Sequence, residues 1–240
     1  MAVPQALFPT DNSFDIPSLR LDMCANYFEL PYVQWGSIAR YREMRGTWGF
    51  YVDDVIFEPV WTKPDYIFKS LNSTCVEVNF SVTVDTPAAL AVWNTYRKRW
   101  LSRYWQENGV KIIVDLGVDS KYAELNLLGV PKGWWAFSTR GYLKEPRWIR
   151  EQYDRAKEIA EGSGKFLFVV YGGGKTLKEQ FPDLARDVVW LCDLEEEIDG
   201  SGWSGWQVGK ALTDMYGAGA TLRVDPAKEY APGKFSFDGA

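Results

Sequence analysis

The chain has 240 residues, 46% of them hydrophobic and 25% charged, with a net charge of −5. Those proportions suit a folded globular domain and exclude wholesale disorder, while the acidic balance speaks against a protein that coats nucleic acid by phosphate neutralisation alone. Histidine is absent, which removes imidazole acid–base chemistry, the usual zinc ligand and every imidazole triad, and leaves Asp, Glu, Lys, Tyr or Cys for any proton transfer.

Residues 1–45 read as an irregular or partly helical lead-in, punctuated by Pro4, Pro9, Pro17 and Pro31. The first residues lack a basic segment followed by a continuous apolar run, so no signal peptide is expected, and no apolar run is long enough to span a membrane. From Trp48 the chain turns aromatic and β-branched. "WGFYVDDVIF" reads as a strand in which Asp53 or Asp54 faces a buried side and needs a cation, for which Arg97 is the natural partner. Val76, Val78, Phe80, Val82 and Val84 alternate as in a strand with one apolar face.

Residues 87–108 follow helical spacing. Ala89, Trp93, Tyr96, Trp100 and Tyr104 form an apolar arc, with Arg97 in its middle and Asn94 near its edge. A guanidinium there needs a carboxylate or carbonyl partner, so Arg97 is either a structural ion-pair residue or an anion ligand. "VKIIVDLGVD", "WWAFSTRG", "KFLFVVYGGG" and "DVVWLCDL" then read as buried strands, separated by helices that begin near Pro146 and Thr176. A strand–helix rhythm of roughly thirty residues marks βαβ units around a parallel sheet. The expected fold is α/β, a small or incomplete TIM-like barrel, with an open doubly wound parallel sheet as the alternative. Residues 46–224 would form this single domain, and residues 225–240 a loosely ordered tail.

Ligands of such folds gather at the carboxyl ends of the strands. Those ends carry Asp85, Asp115, Thr139 with Arg140, Tyr171 with Gly172 and Gly173, and Asp193. Asp115 and Asp85 are the candidate catalytic carboxylates, and any metal they held would be a hard cation, Mg2+ or Mn2+. Capping of the following helix is the competing role for Asp85. Arg97, Arg140, Thr139, Tyr171, Gly172 and Gly173 are the candidate ligand-binding residues. "VVYGGGKT" lacks the first glycine of a nucleotide-triphosphatase loop, since Val169 stands there, and its glycine amides suit a simpler anion nest. Cys24, Cys75 and Cys192 are odd in number and scattered, which fits a reducing cytoplasm and no disulfide framework.

Several of these segments together resemble an uncharacterised domain family common in bacteriophages, prophages and other mobile elements. The resemblance covers about residues 45–175. Its markers are Asn94-x-Tyr96-Arg97-x-Arg99 followed by Tyr104-Trp105-Gln106 and Gly109, and the strand end Ser138-Thr139-Arg140-Gly141. The chain departs from the family where a proline and a tryptophan usually follow the next strand and Asp115 and Val118 stand instead. The resemblance implies a phage or mobile-element protein acting in a bacterial cytoplasm and supplies no catalytic residues.

Three functions compete on this reading. The first is binding of a phosphate-bearing ligand, nucleotide or nucleic acid, extended to divalent-metal phosphoryl chemistry at Asp115 and Asp85. The second is a carbohydrate-active or carbohydrate-binding barrel, suggested by twelve tryptophans. The third is a non-enzymatic interaction module that meets a partner protein through Trp203 and Trp206.

Overall fold

The computed structural model of the chain describes residues 7–36, 46–69, 73–184, 187–191, 214 and 222–224. Strand β1 (Phe28–Leu30) pairs antiparallel with β9 (Leu222–Val224) in a two-stranded ribbon. The main sheet holds β2 (Tyr32–Gln34), β3 (Thr47–Gly49), β4 (Thr74–Val76), β5 (Lys111–Asp115), β6 (Ala136–Arg140), β7 (Leu167–Tyr171) and β8 (Val189–Trp190). They lie side by side in sequence order, and every neighbouring pair is parallel. Parallel neighbours require a crossover. Those described here carry α1 (Asp54–Thr62), α2 (Ala88–Glu107), α3 (Ala123–Asn126), α4 (Arg147–Ile159) and α5 (Gly174–Lys178).

Strictly sequential order means that the chain winds in one direction throughout, whereas a doubly wound sheet reverses at a switch point. The sheet also curls. Five strand spacings of ~4.8 Å would separate β2 and β7 by about 24 Å in a flat sheet. The rings of Tyr32 and Tyr171 nevertheless lie 5.1 Å apart, and Tyr51, just beyond β3, stacks on Tyr171 at 5.2 Å. The fold is therefore the incomplete parallel barrel expected from the βαβ rhythm, with a tyrosine cluster filling its concave side.

Three local expectations change. Two strands, β1 and β2, lie inside the segment expected to be irregular or partly helical. The stretch "WGFYVDDVIF" is strand only at its start: β3 stops at Gly49, and Asp53 and Asp54 open α1 instead of lying within a strand. Asp54 accepts bonds from the amide and hydroxyl of Ser81 at 3.0 and 2.8 Å. After Val76 the alternating run leaves the ladder, and residues 77–83 continue without strand pairing. The expected tail, residues 225–240, lies outside the described residues.

Helix α2 is covered on more than one side, which explains how so many of its polar residues are buried. Its aromatic stripe packs outside the sheet, where Trp93, Tyr96 and Trp100 meet Trp61 of α1 edge-on. Its sheet side is set by Ala91, Thr95, Lys98, Leu101 and Trp105, all buried. A guanidinium on the aromatic stripe and an ammonium on the sheet side thus have different environments.

Gly49 allows the tyrosine cluster to form, because a Cβ built there would fall inside the Tyr32 ring. Gly49→Ala is expected to destabilise the fold by about 1–3 kcal/mol in urea unfolding through overpacking. In a Tyr32→Leu background the same change should cost clearly less; an equal cost would show that the ring is not what the methyl meets.

Candidate binding site at the mouth of the half-barrel

All strands of the main sheet run the same way, so their carboxyl ends share one mouth. The lower layer of that mouth is built around Asp115, which is fully buried. Its Oδ1 accepts from the Tyr51 hydroxyl at 2.9 Å and the Gly117 amide at 3.0 Å. Its Oδ2 accepts from Asn79 Nδ2 at 3.0 Å and Lys98 Nζ at 3.1 Å. The Tyr51 oxygen also lies 3.0 Å from Ser138 Oγ. A phenol has one proton, so Ser138 donates to Tyr51 while Tyr51 donates to Asp115.

A second buried pair lies beside the first. Arg99 forms an ion pair with Glu77, and both side chains are fully buried. Arg99 spends its remaining donors on the carbonyls of Leu128, at 3.0 Å, and Asn126, at 2.6 Å. Glu77 Oε2 accepts from the Asp115 amide at 3.2 Å, and Lys98 also reaches the Asp115 carbonyl at 3.1 Å. Two cations and two anions therefore cancel within one sealed network, as buried charges require.

The upper layer is open. Arg140 ends β6 exposed, its guanidinium 5.3 Å from the centre of the Tyr142 ring, and it makes no ion pair among the described residues. Directly opposite it in register stands Tyr171. The Tyr171 hydroxyl accepts from Gln34 Nε2 at 3.3 Å. Next come Gly172 and Gly173, with φ of +80° and +77°, in the left-handed region that favours glycine. Among the described residues their amides donate to no protein group.

These contacts sort the candidate residues. Arg140, Tyr171, Gly172 and Gly173 come together at the rim. Asp115 lies on the adjacent strand level with Ser138, two residues below Arg140, and is sealed from solvent. Thr139 points the other way from Ser138, towards α4, where its hydroxyl bonds Gln152. Arg97 drops out of the site. Its guanidinium pairs with Glu58 at 2.6 Å and Asn94 at 2.7 Å and lies 3.8 Å from the Phe80 ring centre, so neither Asp53 nor Asp54 is its partner. Asp85 is exposed in a turn and does not cap α2, whose N-cap is Pro87. Asp193, Cys192, Trp203 and Trp206 lie outside the described residues.

Among the described residues no group of three or more Asp, Glu or Cys side chains is placed to hold a metal ion. A cation at Asp115 would have to displace Lys98 from a carboxylate that already accepts four donors. Of the ten described tryptophans seven are buried and three half-buried, so none offers the exposed platform that sugar stacking needs. Likewise, no described helix is long and apolar enough to cross a membrane.

Burial also decides the acid–base behaviour of the interior. It pushes the Cys24 thiol up to about 12 and raises Cys75, Tyr32 and Tyr51 well above their ordinary values, with the Asp115 charge adding to the effect on Tyr51. All four are acids whose neutral form is favoured by folding. Their contribution is complete below the unfolded values of 9.0 for Cys and 10.0 for Tyr and is lost as pH rises beyond them. Urea midpoints should consequently fall steeply above pH ~9; a flat profile to pH ~11 would contradict the burial of these groups. Breaking the buried pair with Lys98→Met should cost about 3–5 kcal/mol, because Asp115 is left uncompensated. Combining it with Asp115→Leu should cost less than the sum of the single changes.

Comparison with known proteins follows this geometry. The family described as a domain of unknown function, DUF4417, matches residues 8–158. The Gene 1 protein of Mycobacterium phage D29 is 33% identical over 112 residues, which cover 44% of this chain and 40% of that protein. The Gene 1 protein of Mycobacterium phage L5 is 29% identical over 112 residues, covering 44% and 47%. The matched stretch thus spans under half of either relative, both of which are phage proteins. No solved structure gives a significant match. The family match takes in the whole buried charge network and the Arg140 strand end, as well as more than half of the chain, and the protein belongs to the DUF4417 family.

Proposed function

We propose that this protein binds a phosphate-bearing ligand, a nucleotide or a nucleic acid, at the mouth of the half-barrel. The observation that carries the reading is the register of β6 and β7. It sets the exposed guanidinium of Arg140 beside Tyr171 and the amides of Gly172 and Gly173, which donate to no group among the described residues. Arginine recognises phosphate through its forked donors, and amides at consecutive left-handed residues add further donors without side-chain entropy. Tyr171 contributes a half-buried ring and hydroxyl at the floor of the same opening. The sealed Asp115 supports the role of a scaffold, which fixes Tyr51 and through it the stacked Tyr171.

On this reading the protein is a phosphate-binding module of a phage or mobile element, acting in the bacterial cytoplasm. The acidic net charge favours a local contact over a wrapped duplex. On this reading Mg2+ enters with the ligand's own phosphates.

Isothermal titration of nucleoside triphosphates and short single-stranded DNA and RNA at low salt, with and without Mg2+, tests the proposal. Binding should weaken with salt, and Arg140→Ala should reduce affinity about tenfold or more, the scale of a lost charge-assisted hydrogen bond. Gly173→Ala should weaken it too, since its Cβ would run into Leu177 and force the turn to change. Absence of binding at millimolar nucleotide overturns the proposal.

A further inference from the structure

A cleft of about 250 Å3 lies between α3, α4 and the loop that follows β5. Leu116, Val118, Leu127 and Trp148 make much of its wall, and Asn126 also lines it. The volume is below the roughly 300–1,000 Å3 of drug-sized ligand pockets, so it suits a single small ring system.

Asn126 is 2% exposed, yet its Oδ1 has no hydrogen-bond partner. The orientation of that amide is set by its other end, because Asn126 Nδ2 donates to the Asp115 carbonyl at 3.0 Å. A flipped amide would set two oxygens against each other. The neighbouring Gln152 cannot supply the missing donor. Its Nε2 is held by the Leu116 carbonyl at 2.9 Å, and its Oε1 accepts from Thr139. The fold leaves a buried acceptor unsatisfied beside an opening, which is an exception in native proteins that calls for an account.

The charge at the cleft disfavours a phosphate. Arg155 on its edge already pairs with Glu124, and Glu151 adds a carboxylate to the same lining. An aromatic and aliphatic wall with the fixed Asn126 acceptor and the Glu151 carboxylate at its side favours a flat ring that carries N–H donors. We infer that the α3–α4 cleft binds a planar nitrogen heterocycle bearing an exocyclic amine, the chemistry of an adenine or cytosine base, with the amine donating to Asn126 Oδ1. This site is separate from the phosphate rim and does not depend on it.

Calorimetric titration of the intact protein with adenosine and cytidine, which carry no phosphate, tests the inference. At least one should bind, and N6,N6-dimethyladenosine, whose exocyclic nitrogen has no hydrogen, should bind about tenfold more weakly than adenosine if adenosine is the ligand, the scale of one lost hydrogen bond. Ala123→Leu fills the cleft from α3 without removing a hydrogen-bonding side chain and should abolish binding with an unchanged urea midpoint. Leu127→Phe is the second filling variant if the first unfolds. Arg140→Ala should leave nucleoside binding unaltered, so failure here and failure of the phosphate reading are told apart. No heat with either nucleoside to the limit of solubility overturns the inference. So does binding that both filling variants retain, or an adenosine affinity that dimethylation does not change.

Discussion

The placement of α2 against the sheet depends on the sealed network of Glu77, Lys98, Arg99 and Asp115. Apolar packing is non-directional, and a helix with aromatics on several sides could settle at more than one rotation. Charges do not allow that choice. A rotation by one residue, 100° on a helix, would carry Lys98 away from Asp115 and Arg99 away from Glu77, leaving four buried ions unpaired. A hydrophobic replacement of the same shape is often as stable as a buried ion pair. The contribution of this network is accordingly to specificity: one helix rotation and one meeting of α2, β5 and α3.

The same network gives the acidic end of β5 a structural role. Asp115 sits where a catalytic carboxylate of a barrel would sit, at the end of a central strand. Its oxygens are occupied by four donors, and one of them is a buried ammonium. One layer higher the situation reverses: Arg140 and the glycine amides have charge or donors to offer, and no group among the described residues takes them as an ion pair or hydrogen bond. The mouth of the half-barrel is thus divided by depth into a satisfied floor and an unsatisfied rim.

Much of the architecture was legible from the residues. The β5 and β7 segments are continuous apolar runs, and the glycine and proline punctuation of α2 and α4 marks their limits. The site was only partly legible. Helical spacing put Arg97 at the centre of an apolar arc, but that arc faces Trp61 and not the sheet, because α2 is buried on several sides at once. Lys98 and Arg99 belong by sequence to a short basic run with Arg97 and Arg103, and nothing in that run signals that both are buried and paired. The alternation of Val76, Val78 and Phe80 also concealed a signal. In a sheet covered on both faces the intervening polar residues point inward too, so Glu77 and Asn79 mark a buried polar network and not a wet surface. Asn126 carried no local signal, since its role arises from a contact with the end of β5. The β1 and β2 segments were missed because strands of three residues are too short to show a period.

The tyrosine cluster inside the curl has an evolutionary consequence. Tyr32, Tyr51 and Tyr171 fill the concave side beneath the strand ends, so the half-barrel is plugged there like a filled bowl. Material above that plug, the loops after β6 and β7, can change length or sequence without opening the core to water. A scaffold of this kind lets the rim diversify at little cost to folding.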